Sequence, residues 1–207
     1  MFQVAPAAPG HFARLAALFE ACGCSCFCRY WHFTGTKNDW LARAAFAPDE
    51  SRSEMEAALV AEDDSARGLV AIDSTRENEP IVGWMKLAPR ASMPKLRRLS
   101  VYRAHDLGDD AGVFSIGCFL IHPEHRKRGV ATALVAAAAD AVRASGGGAV
   151  EAYPHAIDRP MYDEEAWMGP ANIFERAGFV NVAGELPYPV LRLTLGGSVS
   201  DPKESRL

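Results

Sequence analysis

The residues best placed to do chemistry lie in one stretch, Phe119-Leu120-Ile121-His122-Pro123-Glu124-His125-Arg126-Lys127-Arg128-Gly129-Val130-Ala131-Thr132. An apolar strand ends, a basic turn follows, and a helix opens at a glycine. The first amides of a helix have no internal partner and lie at the positive end of its dipole, so this junction suits an anion, phosphate above all. Gly129 and Ala131 are small enough to let a diphosphate reach the backbone. Arg126, Lys127 and Arg128 add positive charge around it. The same residues also read as a helix-start glycine beside a solvated basic turn. No G-x-x-x-x-G-K-[ST] and no three-glycine dinucleotide fingerprint is present, which argues against both common nucleotide loops. The absence of G-x-S-x-G weakens a serine hydrolase reading.

A second concentration of reactive groups runs from Cys22 to Phe33, where Cys22, Cys24, Cys26 and Cys28 alternate among Phe27, Tyr30, Trp31 and Phe33. Four thiolates can hold zinc, but structural sites favour C-x-x-C knuckles from two places in the chain. Alternation along an extended chain points the sulfurs the same way, which is awkward for a tetrahedron. Disulfide or redox chemistry is another reading. The plainest is that the cysteines are small buried apolar groups beside core aromatics. Five cysteines without an export signal read as reduced thiols of a cytoplasmic protein. The six histidines show no metal-ligand spacing, so no metal is expected, and His122 and His125, flanking Pro123, are expected to be exposed.

The elements that must position these groups follow from periodicity. Phe12, Leu15, Leu18, Phe19 and Cys22 give the apolar stripe of a first helix. A second is expected from about Asp39 to Phe46, and Ser51 with Glu54 resembles a capping box that opens a third. Leu69–Ile72 and Ile81–Leu87 read as an antiparallel strand pair. Residues 89–112 are polar and irregular, with Arg90, Lys95, Arg97 and Arg98 clustered. Val113–Ile121 is a strong strand, and Gly129–Ala144 is a helix with Val130, Leu134, Ala137, Ala138 and Val142 on one face. Ala149–Tyr153 reads as a strand, Ala171–Ala177 as a short helix, and Phe179–Val182 and Val190–Leu195 as the last strands. This order predicts a single mixed α/β domain over residues 1–196, with a disordered tail at 197–207.

The chain has 207 residues, 22 Lys+Arg against 26 Asp+Glu, and a net charge of −4. That balance argues against a non-specific nucleic-acid binder. No stretch approaches ~18 uninterrupted apolar residues, so no membrane span is expected, and Met1–Gly10 lacks the pattern of a secretory signal.

Two motifs carry a resemblance. Arg126-x-x-Gly129-x-Ala131, after a strand and a proline turn, resembles the acyl-CoA pyrophosphate loop of the GNAT N-acetyltransferase superfamily. Ile173-Phe174-Glu175-Arg176-Ala177-Gly178-Phe179 is similar to that superfamily's later helix-to-strand segment, and the spacing of the two agrees. Cys26-Phe27-Cys28-Arg29-Tyr30-Trp31, Gly83-Trp84 with Ala88-Pro89-Arg90, Cys118-Phe119 and Glu151-Ala152-Tyr153-Pro154 resemble one subfamily with a Cys-aromatic N-terminal segment.

The resemblance implies a GNAT fold: a mostly antiparallel central sheet, a splayed strand pair and flanking helices. Residues 1–65 would form the acceptor side and 66–196 the acyl-CoA-binding core. It implies an acetyl-CoA-dependent N-acetyltransferase, monomer or homodimer, in which an amine of a small molecule or an aminoacyl end attacks the thioester directly. Backbone groups of Phe119, Leu120 and Ile121 would bind pantetheine, residues Arg126, Lys127, Arg128, Gly129, Val130, Ala131 and Thr132 the diphosphate, and Phe174 would contact the cofactor. Cys26, Cys28, Tyr30 and Trp31 would line the acceptor pocket, where Tyr30, Trp31 and Trp40 can hold a cation or serve as plain core.

The amine must lose a proton, and Glu151 is the candidate base, with a solvent-facing strand charge as the other reading. The superfamily often has Tyr where Phe174 stands, as the acid for the leaving thiolate. Tyr153, Tyr162 or solvent would have to replace it. Asp163, Glu164 and Glu165 read as a solvated acidic run that can attract a cationic acceptor. The missing tyrosine also motivates a non-catalytic acyl-CoA-binding regulator, and the cysteines a metal or redox module on the same body.

Overall fold

Sheet geometry is governed by how long each strand keeps its neighbour. The computed structural model describes residues 2–196 apart from Asp158, Pro160, Met161, Asp163 and Glu164, so the expected tail and most of the acidic run lie outside the described residues. The strands are β1 (Phe2–Pro6), β2 (Gly68–Asp73), β3 (Ile81–Pro89), β4 (Val113–Ile121), β5 (Ala149–Ala152), β6 (Val180–Ala183) and β7 (Val190–Thr194). The helices are α1 (Phe12–Ala21), α2 (Lys37–Phe46), α3 (Pro48–Val60), α4 (Pro94–Arg98), α5 (Val130–Ala144) and α6 (Ala171–Arg176). The seven strands form one sheet in the order β1-β2-β3-β4-β5-β7-β6. All neighbours are antiparallel except β4 and β5, which run parallel.

The α/β class and the strand pattern agree with the sequence. Strand β1 was not expected: its apolar alternation is weak, and Pro6 marks the edge position it occupies. The predicted cap at Ser51 is also corrected. Pro48 opens α3 at its first helical position, where a missing N–H costs nothing, and Ser51 is buried inside the helix. A capping box stands instead at Thr36, whose hydroxyl accepts from Asp39 N–H while Asp39 accepts from Thr36 N–H.

Both faces of the sheet are covered, so β2 and β3 are apolar and almost wholly buried. One face packs on α1, α3 and the cysteine-aromatic segment, through Leu15, Phe19, Trp31, Met55, Trp84 and Cys118. The other packs on α5 and α6, through Met85, Phe119, Leu134, Val135, Val150 and Phe174. Within residues 89–112, expected to be irregular, Arg90 is not part of a surface cluster but is fully buried.

Two features of β4 shape the site. It pairs with β5 only at Val113↔Ala149, Phe114↔Val150 and Ser115↔Glu151, while its pairing with β3 runs on to Gly83↔Ile121. From Ile116 onward its β5 side is therefore open. Between the Met85↔Phe119 and Leu87↔Ile116 pairs β4 carries one residue more than β3, a β-bulge at Gly117–Cys118. A Cβ on Gly117 would lie 2.7 Å from Met93 Cε and 2.9 Å from Trp31 Nε1, so the indole rests directly on bulge backbone. Gly117→Ala is expected to destabilise the protein by about 1–3 kcal/mol through overpacking, read by urea unfolding. An unchanged midpoint would refute the close contact.

Candidate active site

The open side of β4 leads into a cavity of about 520 Å³. Its floor is Phe119, Leu120 and Ile121, its near end is His125, Arg126, Lys127 and the first residues of α5, and its far wall is Ala166, Trp167, Pro170 and Ile173. Cys22, at the end of α1, completes the rim.

Helix α5 begins at Gly129, which has φ +84° and faces open space. Only glycine adopts that conformation without strain, and having no side chain it cannot cap the helix. The first intrahelical bond runs from Ala133 N–H to Gly129 O at 2.9 Å, so the amides of Val130, Ala131 and Thr132 have no partner in the helix. These amides, the helix dipole, Arg126 and Lys127 face one end of the cavity, an arrangement that favours a diphosphate. Arg128 is exposed and does not line the cavity. Arg126 is half-buried, and its Nε donates to Ile121 O at 3.3 Å. The Cys22 thiol donates to the same oxygen at 3.6 Å. The Ile121 carbonyl is therefore engaged inside the protein, and the Leu120 backbone faces Trp84 of β3, so Phe119 remains as the floor residue with backbone on the open edge.

His125 corrects an expectation. It is only 4 % exposed, with Nε2 3.5 Å from Asp73 Oδ2 at the end of β2. Phe174 is fully buried against Phe119 and Phe179 and does not line the cavity; its neighbour Ile173 does. Trp167, Pro170 and Cys22 were missed. Only the end of the α1 stripe pointed to Cys22, and nothing in the sequence marked the loop before α6 as a wall.

Glu151 and Tyr153 lie on the opposite sheet face, at the foot of the splay. The Glu151 carboxylate is 0 % exposed and accepts from Arg90 Nη1 at 3.0 and 3.1 Å, from Arg192 Nε at 2.8 Å and also from Arg192 Nη2. The Tyr153 phenol donates to it at 2.5 Å and lies 2.9 Å from Ser115 Oγ. Both carboxylate oxygens are saturated, so neither has a lone pair left for a substrate proton. The alternative reading of Glu151 as a solvent-facing charge is excluded by its burial. Burial, and then the adjacent Glu151 charge, hold the Tyr153 phenol well above its ordinary pKa, which makes it a poor acid. Tyr162 is exposed, with Arg159 over its ring. Arg159 also pairs with Glu165 and pulls its carboxyl down to about 2.

The cysteine-aromatic segment is not an extended strand. Gly23, Phe27 and Cys28 have φ of 62°, 44° and 54°, and the two non-glycine residues carry strain of about 1–3 kcal/mol each. Cys28 is disulfide-bonded to Cys118 of the bulge, 90 residues away, so the expectation of five reduced thiols is corrected at this pair. Cys22, Cys24 and Cys26 are free. Among the described residues no group of three or more His, Cys, Asp or Glu is arranged to hold a metal. Trp31, 2 % exposed, stacks on Trp167 of the cavity wall with centroids 5.7 Å apart. The cation–π sites of Tyr30, Phe33 and Trp40 are taken by the chain's own cations: Lys95 lies over Tyr30 and Phe33, and Arg43 over Phe33 and Trp40.

The profile of the acetyltransferase (GNAT) family matches residues 20–165. The chain belongs to the GNAT acetyltransferase family. Solved structures agree in fold. YncA of Salmonella typhimurium, solved with acetyl-CoA, is 14% identical with a TM-score of 0.51, covering 96% of each chain. The PaiA N-acetyltransferase of Thermoplasma acidophilum, solved with coenzyme A, is 10% identical with a TM-score of 0.52, covering 94% of this chain and 99% of that one. The GNAT domain of S. lividans PAT is 17% identical with a TM-score of 0.51, covering 94% and 90%. No curated protein matches the chain closely enough to count as a relative. Among the described residues no helix is long and apolar enough to cross a membrane.

In this GNAT chain, removing the Glu151 carboxylate would take the buried partner from both Arg90 and Arg192 and leave Arg90 with Asp110 alone. Glu151→Ala is expected to cost about 3–5 kcal/mol of stability by chemical denaturation. A loss below about 1 kcal/mol, the scale of a surface pair, would contradict a locked ionic foot.

Proposed function

We propose that the protein transfers the acetyl group of acetyl-CoA to an amine of a small molecule or of an aminoacyl end, by direct attack on the thioester. One observation carries the reading: a single cavity joins the uncapped first turn of α5 to the unpaired edge of β4. The residues fit the co-substrate. Amides of Val130, Ala131 and Thr132, with Arg126 and Lys127, would take the diphosphate at Gly129, where a side chain would project into the approach. The backbone of Phe119 and the side chain of Leu120 would meet the pantetheine arm, and Trp167, Pro170 and Ile173 would cover it. Amides aimed at the thioester oxygen supply the usual large catalytic contribution.

The acceptor would enter on the side of residues 1–65, past Cys22 on the cavity rim. Alkyl ammonium groups have pKa near ~10.4, so the amine must shed a proton before attack. Glu151 is saturated, and in this reading it and Tyr153 are positioning residues that fix the point where β4 and β5 separate. The proton leaves to solvent. The coenzyme A thiolate, with a thiol pKa near ~8.5, needs no dedicated acid, which accommodates Phe174 in place of a tyrosine. With Lys95 and Arg43 already on the aromatic rings, a cationic acceptor is not held by Tyr30 or Trp40. A second reading, a regulator that binds acyl-CoA without turnover, is favoured by the same locked state of Glu151 and Tyr153.

Calorimetry with acetyl-CoA is expected to give one site per chain. Thiol release on an amine panel is expected to rise at least tenfold, about 1.4 kcal/mol in barrier, above the amine-free rate. Binding without amine-dependent release selects the regulator, and no binding at millimolar acetyl-CoA ends both readings. Gly129→Val, its fold checked by circular dichroism, should abolish binding; retained affinity would refute the placement of the diphosphate.

A further inference from the structure

The free thiols of the segment 22–26 are not equivalent. Cys22 donates its thiol to Ile121 O, and burial pushes that thiol up from its ordinary pKa. Cys24 and Cys26 are half-buried, flanked by exposed Gly23 and Ser25, and their sulfurs face each other at 3.5 Å. Cys28 N–H donates to Cys26 Sγ at 3.4 Å, so the Cys26 sulfur is fixed from one side by the backbone and meets Cys24 on the other. The chain turns at Gly23 before the pair and at Phe27 and Cys28 after it, and between these turns the two sulfurs lie closer than side chains two apart on an extended strand. The Cys24 thiol is pulled down to about 7, chiefly by its hydrogen bond from Cys26, while Cys26 is pushed up by the same bond and by burial. The contact thus favours the thiolate on Cys24, and Cys26 keeps its proton beside it.

We propose that Cys24 and Cys26 form a redox-active dithiol that exchanges with low-molecular-weight disulfides, with Cys24 as the attacking and Cys26 as the resolving sulfur. The Cys24 thiolate attacks one sulfur of a disulfide RSSR, forming Cys24–S–SR and releasing RS⁻. Cys26 gives its proton to RS⁻, then attacks the Cys24 sulfur and expels the second RS⁻, which takes a proton from water. The net change is two protein thiols oxidised to one disulfide and RSSR reduced to two RSH, and excess RSH reverses it. Cys22, engaged with Ile121, serves as an internal control.

The test uses the full chain with oxidised glutathione as the probe, quenched by acid and N-ethylmaleimide and read by peptide mass mapping. The expected result is a Cys24–Cys26 linkage, a labelled Cys22, and recovery of both thiols on adding reduced glutathione. Cys26→Ser should stop the reaction at one glutathionyl group on Cys24, and Cys24→Ser should lower uptake about tenfold or more, the scale set by thiolate fraction. Alkylation of Cys24 should rise with pH around a midpoint near 7, below that of Cys22. Cys24 and Cys26 both remaining alkylatable after excess oxidised glutathione would overturn the proposal. So would glutathione captured on Cys22, or a new linkage other than Cys24–Cys26 beside the existing Cys28–Cys118. The readout is linkage and mass, so it stands or fails independently of acetyl-CoA binding.

Discussion

The buried carboxylate of Glu151 sits where β4 and β5 part, and two guanidiniums and a phenol hold it there. Arg90 and Arg192 extend the hold: Arg90 also donates to the Leu107, Gly108 and Asp109 carbonyls and to Asp110, and Arg192 to Leu107. Burying such charges is costly unless each is paired and hydrogen-bonded, and here each is. Ser115, the last β4 residue paired with β5, is tied to the same group through Tyr153. The strands are clamped at one end, and the parting beyond it opens onto the cavity.

From that parting the binding edge follows without further devices. β4 keeps β3 on one side, so its free side presents backbone at Phe119. The chain then turns through Lys127 and Gly129, both in the left-handed region, and aims the start of α5 back along the same edge. The long helix is anchored by Val130, Leu134, Val135, Ala138 and Val142, so its dipole and open amides are fixed in direction by core packing. On the other face Cys28–Cys118 and the Trp31–Trp167 stack tie the N-terminal wall to the bulge and to the loop before α6. The N-terminal segment and the open edge of β4 therefore meet at the bulge.

Much of this was legible in the sequence because it rests on local pattern. The strand-turn-helix at 119–132, the α5 stripe and the order of strands follow from periodicity and glycine placement. The rest depends on contacts distant in sequence. Glu151 looked like a base or a surface charge, because nothing near it in sequence announces Arg90 and Arg192. Phe174 shares a motif with the family, yet helix rotation puts Ile173 on the cavity and Phe174 in the core. Tyr30 and Trp40 looked free to take a ligand cation, and Lys95 and Arg43 reach them from outside the segment. The cysteine alternation suggested a strand, and three left-handed residues made it a set of turns.

The anion site at the start of α5 is tested most directly by nuclear magnetic resonance of the ¹⁵N-labelled chain titrated with coenzyme A. The largest amide shifts are expected on Gly129, Val130, Ala131 and Thr132, as hydrogen bonds form to the diphosphate. Saturable shifts elsewhere, with those four amides unmoved, would contradict that site.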